Sequence, residues 1–326
     1  MRAALCSEYG PPEALTVCEV DAPPLGAGQI RVRVQAASVN FPDVLMVAGQ
    51  YQIKVPPPFV PGSEFAGEVM EVGDGVTTWQ IGDRVFATGL VGAFAEEAVI
   101  GAGSATRTPD GVDAASAAAF GVAHRTAYNV LRTVAHVQPG EEVVVLGAGG
   151  GVGLAAVQLG VALGATVTAV ASSDDKLAVA SSYGATRTLN HKGDDLRGAL
   201  KAALPGGADV IVDPVGGDLS EAALRSLRFG GRFVTVGYAS GTIPRIPLNL
   251  VLLKGIEILG FEFLSFATHR TEEATRNDAE VLALLADGRA LPHIGQRFDL
   301  DAAAAALRYV ADGKAIGKVV IEVVPT

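Results

Sequence analysis

Glu142-Val-Val-Val-Leu146, then Gly147-Ala-Gly-Gly-Gly-Val-Gly153, then Leu154 to Leu163, then Gly164-Ala-Thr-Val-Thr-Ala-Val-Ala171: the fold is decided in this stretch. A short apolar run, a glycine-rich turn, an apolar run of helix length and a second β-branched run read as strand, turn, helix and strand. That is a βαβ unit whose turn stands where a dinucleotide pyrophosphate would lie. Glycines let the backbone approach the phosphates, and the helix N-terminus offers N–H groups to them. The turn residues Ala148, Gly149, Gly150, Gly151, Val152 and Gly153 are therefore candidates for cofactor binding. In the GxGxxG register alanine replaces the first glycine at 148. No charged residue occurs from Val143 to Ser173, as in a membrane helix. The cluster of glycines and the Val-rich ends instead favour two strands around a turn.

The end of the second strand bears on cofactor choice. An NAD-preferring site carries Asp or Glu there, on the ribose hydroxyls. This chain has Ala171, then Ser172, Ser173 and Lys176, and small hydroxyls beside a cation suit a 2′-phosphate. Asp174 and Asp175 would oppose it. Ser173 also reads as a helix cap and Lys176 as a solvated helix residue. NADPH is the expected cofactor.

Outward from this centre, the alternation continues. Asp113 is placed to cap a helix over Ala114 to Phe120, with more helix from Val122 to Val137. Asp175 to Tyr183 reads as helix, Asp209 to Asp213 as strand, Leu219 to Leu227 as helix and Arg232 to Val236 as strand. Ile256 to Phe263 is an apolar last strand of a doubly wound parallel sheet. Glu272 to Leu285 and Asp301 to Ala311 read as helices, and Val319 to Val323 as a final strand. The first ~110 residues differ, with short strands such as Phe65 to Val72 and turns at Gly73-Asp74-Gly75 and Gly82-Asp83, as in a compact β-barrel-like domain. At 326 residues the chain is long enough for two domains. Its formal charge of -10 speaks against a nucleic-acid or anionic-membrane surface. Met1 to Glu8 has no signal-peptide core, and two cysteines make no disulfide framework, so a cytoplasmic setting is expected.

Taken together, Val39-Asn40-Phe-Pro-Asp43, Gly49-Gln-Tyr51, Pro61-Gly-Ser-Glu-Phe-Ala-Gly67, Gly82-Asp-Arg-Val85, the Gly147 to Gly153 turn, Asp213-Pro-Val-Gly-Gly217 and Gly237-Tyr-Ala-Ser-Gly241 resemble the medium-chain dehydrogenase/reductase family. The resemblance is to its quinone oxidoreductase (zeta-crystallin-like) branch and covers nearly the whole chain. It implies an α/β protein in which a GroES-like β-barrel-type catalytic domain, residues 1–122 and 265–326, is split around a Rossmann domain, residues 123–264. It also implies NADPH and a homodimer paired through Ile256 to Phe263. By the same resemblance Asn40, Asp43 and Tyr51 face the substrate, and Thr126 with Gly237, Tyr238 and Ala239 lies near the nicotinamide. His191 stands where relatives bind the 2′-phosphate with a tyrosine. Lys318 stands near an arginine of some relatives and is a further phosphate candidate.

Zinc alcohol dehydrogenases share this fold, and their metal needs a His beside a Glu and a Cys or Asp. Here the Gly-His-Glu position reads Gly62-Ser63-Glu64, no cysteine lies near Asn40, and the five histidines show no metal spacing, so no metal is expected. Without a Lewis acid, the acceptors that fit are already electrophilic: quinones and α,β-unsaturated carbonyls. Tyr51 is the candidate acid or oxyanion donor, with loop packing as its ordinary alternative. Asn40 also reads as a turn former before Pro42, Asp43 as a helix cap, and Glu64 as a buried carboxylate met by backbone N–H groups. Arg245 and Lys254 suit either an acyl-CoA phosphate or the surface. Three functions remain open: quinone reductase, enone or enoyl-thioester reductase, and NADPH-binding sensor or structural protein.

Overall fold

The computed structural model describes residues 1–193 and 195–323. The chain forms two compact units, Met1–Val122 with the segment from Leu291 onward, and Ala123–Ala290.

In the second unit six parallel strands lie in the order Arg187–Asn190, Thr166–Ala171, Glu142–Leu146, Ala208–Asp213, Leu227–Thr235, Glu257–Gly260. Numbered along the chain this is 3-2-1-4-5-6, the Rossmann order. The three central strands carry Val143, Val144, Val145, Val167, Val170, Val210, Ile211 and Val212, all fully buried, as strands covered on both faces require. The order reverses between Glu142–Leu146 and Ala208–Asp213, which opens a crevice at their carboxyl ends.

The return to the first unit comes at Leu291, later than the expected 265. The helix Thr271–Ala286 explains the difference. Its Asp278 pairs with Arg125 at 2.5 Å, its Glu280 accepts from Tyr128 Oη at 2.7 Å and from Arg132 at 3.1 Å, and buried Asn277 donates to Asn129 and Thr133, both at 2.7 Å. Those partners sit on one continuous stretch, the α-helix Ala114–Asn129 and the π-turn Val130–Val134. A buried amide left without partners is expensive, so this polar seam fixes the helix to the second unit. The expected strand Ile256 to Phe263 is also shorter. After Gly260, Phe261 packs on Phe263 and Phe266, and the Glu262 carboxylate caps the helix Phe263–His269 through the N–H groups of Leu264 and Ser265.

In the first unit the strand Gln29–Val39 organises a seven-stranded sheet. Its first half pairs with Glu97–Gly101, and Glu64–Val72 runs along it. Its last residues pair with Lys318–Glu322. All three pairings are antiparallel, with Ser38 opposite Glu64 and Val39 opposite Val319. That register brings Asn40, Ser63, Glu64 and Lys318 to one end of the sheet. A short helix, Phe41–Val47, starts there. Pro42 at its second position loses no helical bond, since the first N–H groups of a helix have no intrahelical partner.

Candidate functional site

Functional candidates fall into two groups, one in each unit. In the second unit the chain leaves the strand Glu142–Leu146 through Gly147, whose φ of 61° suits glycine. Ala148 N–H donates to Val170 O at 3.0 Å and Gly150 N–H to Gly147 O at 2.9 Å. Gly150 then caps the helix Gly151–Ala162, whose first bond runs from Leu154 N–H to Gly150 O at 2.8 Å. The N–H groups of Gly151, Val152 and Gly153 precede that bond and point out of the helix N-terminus. A Cβ at 153 would collide with the Gly147 carbonyl, so the third position of the fingerprint admits only glycine. The turn is a backbone cradle with the dipole and geometry for a pyrophosphate.

Beside it lies a cationic corner. A Cβ on Gly149 would stand 2.5 Å from the Lys176 side chain. Lys176 Nζ reaches Ser172 Oγ at 3.4 Å, while Ser173 caps the helix Asp174–Ser182 by accepting from Lys176 N–H. Thus Ser173 takes its capping role, and Asp174 is engaged by the Asn190 amide at 2.9 Å. His191 N–H donates to Ala171 O at 3.1 Å, which brings its ring to the same corner. Burial and then Lys192 push the Lys176 pKa down, and burial, Lys192 and Lys176 push that of His191 down. Lys176, His191 and Lys192 thus lie close enough to act on one another's charge. Lys192 was not singled out from sequence. Its one signal was adjacency to His191 just past the strand Arg187–Asn190.

The Gly237 to Gly241 loop completes this face of the unit. Ala239 N–H donates to Pro214 O and Ser240 N–H to Val215 O, at 3.2 and 2.9 Å. Buried Asp213 shapes the facing turn, accepting from Val215 and Gly216 N–H at 2.8 Å and from Ser220 Oγ at 2.6 Å. A Cβ on Gly147 would meet Val215, so the 147 turn, the 214–217 turn and the loop bearing Gly237, Tyr238 and Ala239 adjoin at the sheet reversal. Thr126 is buried on the helix Ala114–Asn129. Lys254 is anchored on the carbonyls of Arg225 and Leu227 at 2.6 and 2.5 Å, closing a helix end instead of meeting substrate.

The first unit holds a dry polar cluster. Lys318 Nζ donates to Glu64 Oε1 at 2.8 Å and also to Asn40 Oδ1 and Val39 O. Asn40 Nδ2 gives one hydrogen to Glu64 Oε1 at 2.9 Å and the other to Ser63 Oγ at 3.2 Å. Glu64 Oε2 accepts Val122 N–H at 2.8 Å, and Asp43 Oδ2 accepts Asn40 N–H at 2.7 Å. Two expectations change here. Lys318 is not a phosphate ligand, because its ammonium is buried and already met by Glu64 and Asn40. Asn40 has no amide hydrogen left to orient a substrate carbonyl. Burial pushes the Asp43 pKa up to about 7 against the opposing pull of Asn40, Ser63 and Lys318. Tyr51 is half-buried in the bend after the short helix, its N–H on Leu45 O at 3.1 Å.

These residues do not fit a zinc ion. Asn40 and Ser63 are neutral, Glu64 is held by an ammonium, and among the described residues no three His, Cys, Asp or Glu are grouped to hold a metal.

Comparison with known proteins agrees with the two-part reading. Residues 26–110 match the alcohol dehydrogenase GroES-like domain, and residues 151–279 the zinc-binding dehydrogenase family. The chain is 38% identical over 326 residues to quinone oxidoreductase-like protein 2 of Bos taurus, covering 98% of this chain and 92% of that one. It is 37% identical over 306 residues to a polyketide synthase of Streptomyces halstedii, covering 93% of this chain and 5% of the synthase. The crystal structure of Escherichia coli quinone oxidoreductase complexed with NADPH superposes with a TM-score of 0.91 at 28% identity, over 99% of this chain and 100% of that one. The chain belongs to the medium-chain dehydrogenase/reductase family, in its quinone oxidoreductase-like branch.

Proposed function

We propose that this protein is an NADPH-dependent quinone reductase that works without zinc. The observation that carries the reading is the Lys318–Glu64–Asn40 cluster. An immobile ammonium already pairs with the acid there, and Asn40 and Ser63 are neutral, so the cluster offers no donor set for a metal that would activate an alcohol or an ordinary ketone. A quinone needs no such activation. NADPH supplies the hydride; the protein supplies position and electrostatics. In this reading the N–H groups of Gly151, Val152 and Gly153 take the pyrophosphate. Ser172, Lys176, His191 and Lys192 take the 2′-phosphate. Thr126 and the Gly237, Tyr238 and Ala239 loop border the nicotinamide, and the Tyr51 phenol serves the oxyanion of the substrate.

The polyketide synthase likeness favours one second reading, reduction of an enoyl thioester. NADPH oxidation measured with a panel of quinones and enoyl-CoA thioesters separates them. Turnover with quinones and little with thioesters is expected. The reverse pattern would establish the second reading, and no turnover with either would point to a binding role.

We also propose a homodimer paired through the strand Glu257–Gly260, an edge of its sheet with Ile258 40% exposed. Light scattering should give twice the chain mass, and Ile258→Lys should halve it. Phe261, packed inside among aromatic rings, is the wrong residue for that test.

A further inference from the structure

The glycines of the Gly147 to Gly153 turn are there for different reasons. Gly147 has a positive φ, and a Cβ at 153 would strike the Gly147 carbonyl. At Gly150 a Cβ would make an ordinary contact, 3.5 Å from that carbonyl, and the φ of -88° suits any residue. Gly149 fits neither case. Its φ lies outside the left-handed region, so the backbone does not demand glycine. The three nearest atoms that a Cβ would meet all belong to one side chain, Lys176: its Cβ at 2.5 Å, its Cγ at 2.6 Å and its Cδ at 2.8 Å. Non-bonded carbon atoms settle at about 3.5–4.0 Å. Successive carbons of the lysine therefore run across the bare Cα of Gly149, in the space a side chain there would fill.

Lys176 is held at both ends as well. Its N–H donates to Ser173 Oγ as the helix Asp174–Ser182 begins, and its Nζ lies 3.4 Å from Ser172 Oγ. A lysine on open surface spreads over many rotamers, and ordering it for a ligand costs entropy. Laid over Gly149, this stem has one course: out of the helix start, past the turn, to the hydroxyl that follows the strand Thr166–Ala171. Both residues belong to the second unit, so the arrangement is complete within it.

We propose that Gly149 is a specificity-determining position for the cofactor, its bare Cα being the seat that holds the Lys176 ammonium ready for a 2′-phosphate. This rests on the reading in which Lys176 meets that phosphate. In this role Gly149 acts through Lys176 and is a positioning residue. A methyl group at 149 cannot share its space with the lysine stem. The side chain must swing off the turn, and NADPH then loses a charge that NADH, with no 2′-phosphate, never used.

The test is a double-mutant cycle read by fluorescence titration with NADPH and with NADH, on Gly149→Ala, Lys176→Gly and the two combined. Lys176→Gly is the partner because it takes away every carbon that would collide with a Cβ at 149. It should weaken NADPH about tenfold or more, the worth of one charge-assisted hydrogen bond, and leave NADH unchanged. Gly149→Ala should do the same to a similar extent. The combined variant should bind NADPH no worse than Lys176→Gly alone, because the two changes remove one interaction. A second readout needs no cofactor: acetylation of Lys176 by acetic anhydride, followed by peptide mass spectrometry, should be faster in Gly149→Ala than in wild type. If Gly149→Ala loses its fold, adding Lys176→Gly should restore it, and a combined variant that stays unfolded would overturn the proposal. So would losses that multiply in the combined variant, or a Gly149→Ala that weakens both cofactors equally and therefore acts at the pyrophosphate turn. Wild-type NADPH affinity in Gly149→Ala, with Lys176→Gly weakened, would remove the seat and leave the phosphate reading standing. Wild-type NADPH affinity in Lys176→Gly would overturn that reading, and the proposal with it.

Discussion

The two polar sites hold lysines in opposite circumstances. Lys318 is sealed between Glu64 and Asn40, its charge spent inside the protein. Lys176 stands half-buried beside Lys192 and His191, where burial and then the charge of Lys192 raise the cost of its proton. A cation matched by a buried acid organises structure. Cations set beside the Gly147 to Gly153 turn stand where, in the proposed reading, a cofactor phosphate would meet them. The same residue type, in one chain, is thus a fastening in one place and a receptor in the other.

The sharpest way to break this contrast is to delete the matched cation. Lys318→Met leaves the buried Glu64 carboxyl without its cation, and losing one partner of a buried pair costs about 3–5 kcal/mol. Urea unfolding should show that loss, and Glu64→Gln added to Lys318→Met should restore much of it. A single variant as stable as wild type would mean that water reaches the cluster.

Asp43 gives the next effect. Its folded pKa of about 7 lies above its unfolded value. The stability it lends is complete below about pH 4, where both states are protonated, and is lost as pH rises to about 7. Three pKa units correspond to about 4 kcal/mol at most. The difference in stability between wild type and Asp43→Asn, followed by denaturant titration across this range, should therefore shift steadily against wild type as pH rises. A flat difference would mean that Asp43 ionises normally.

The smallest change is expected in the receptor corner. Lys176→Ala or Lys192→Ala should cost about 1.5–3 kcal/mol of NADPH affinity, the worth of one charge-assisted hydrogen bond, and leave NADH binding unchanged. Cofactor fluorescence titration measures both. Equal losses for the two cofactors would place these lysines away from the 2′-phosphate.

What sequence reading recovers follows the range of the interactions. The βαβ unit is local: the Val143 to Leu146 run, the Gly147 to Gly153 turn and the next strand declare themselves within thirty or so positions. Contacts across the chain do not. Lys318 and Glu64 are 254 positions apart, and only the pairing of Val39 with Val319 reveals that they meet. The helix Phe41–Val47 is seven residues long with a proline near its start, too short for periodicity to register. The helix Thr271–Ala286 was legible as a helix, but its allegiance lay in Asn277, Asp278 and Glu280, whose partners are some 150 residues away. Lys192 was invisible because a lone lysine in a turn is ordinary until the ring of His191 and the side chain of Lys176 are seen beside it.

The strand Lys318–Glu322 has a consequence for how the molecule is made. The ribosome releases Asn40, Asp43 and Glu64 long before their partner Lys318. At roughly 5–20 residues per second, the interval between residue 122 and residue 318 lasts on the order of 10–40 s. Through that time Ala36 to Ser38 have a sheet neighbour on one side only, and Glu64 lacks the cation that pairs with it. The inserted second unit, whose contacts are complete once Ala290 has emerged, is free to fold first. The nascent chain thus completes its parallel-sheet unit before the unit that holds the Lys318–Glu64 pair, and a chaperone that shields the early segment has that interval in which to act.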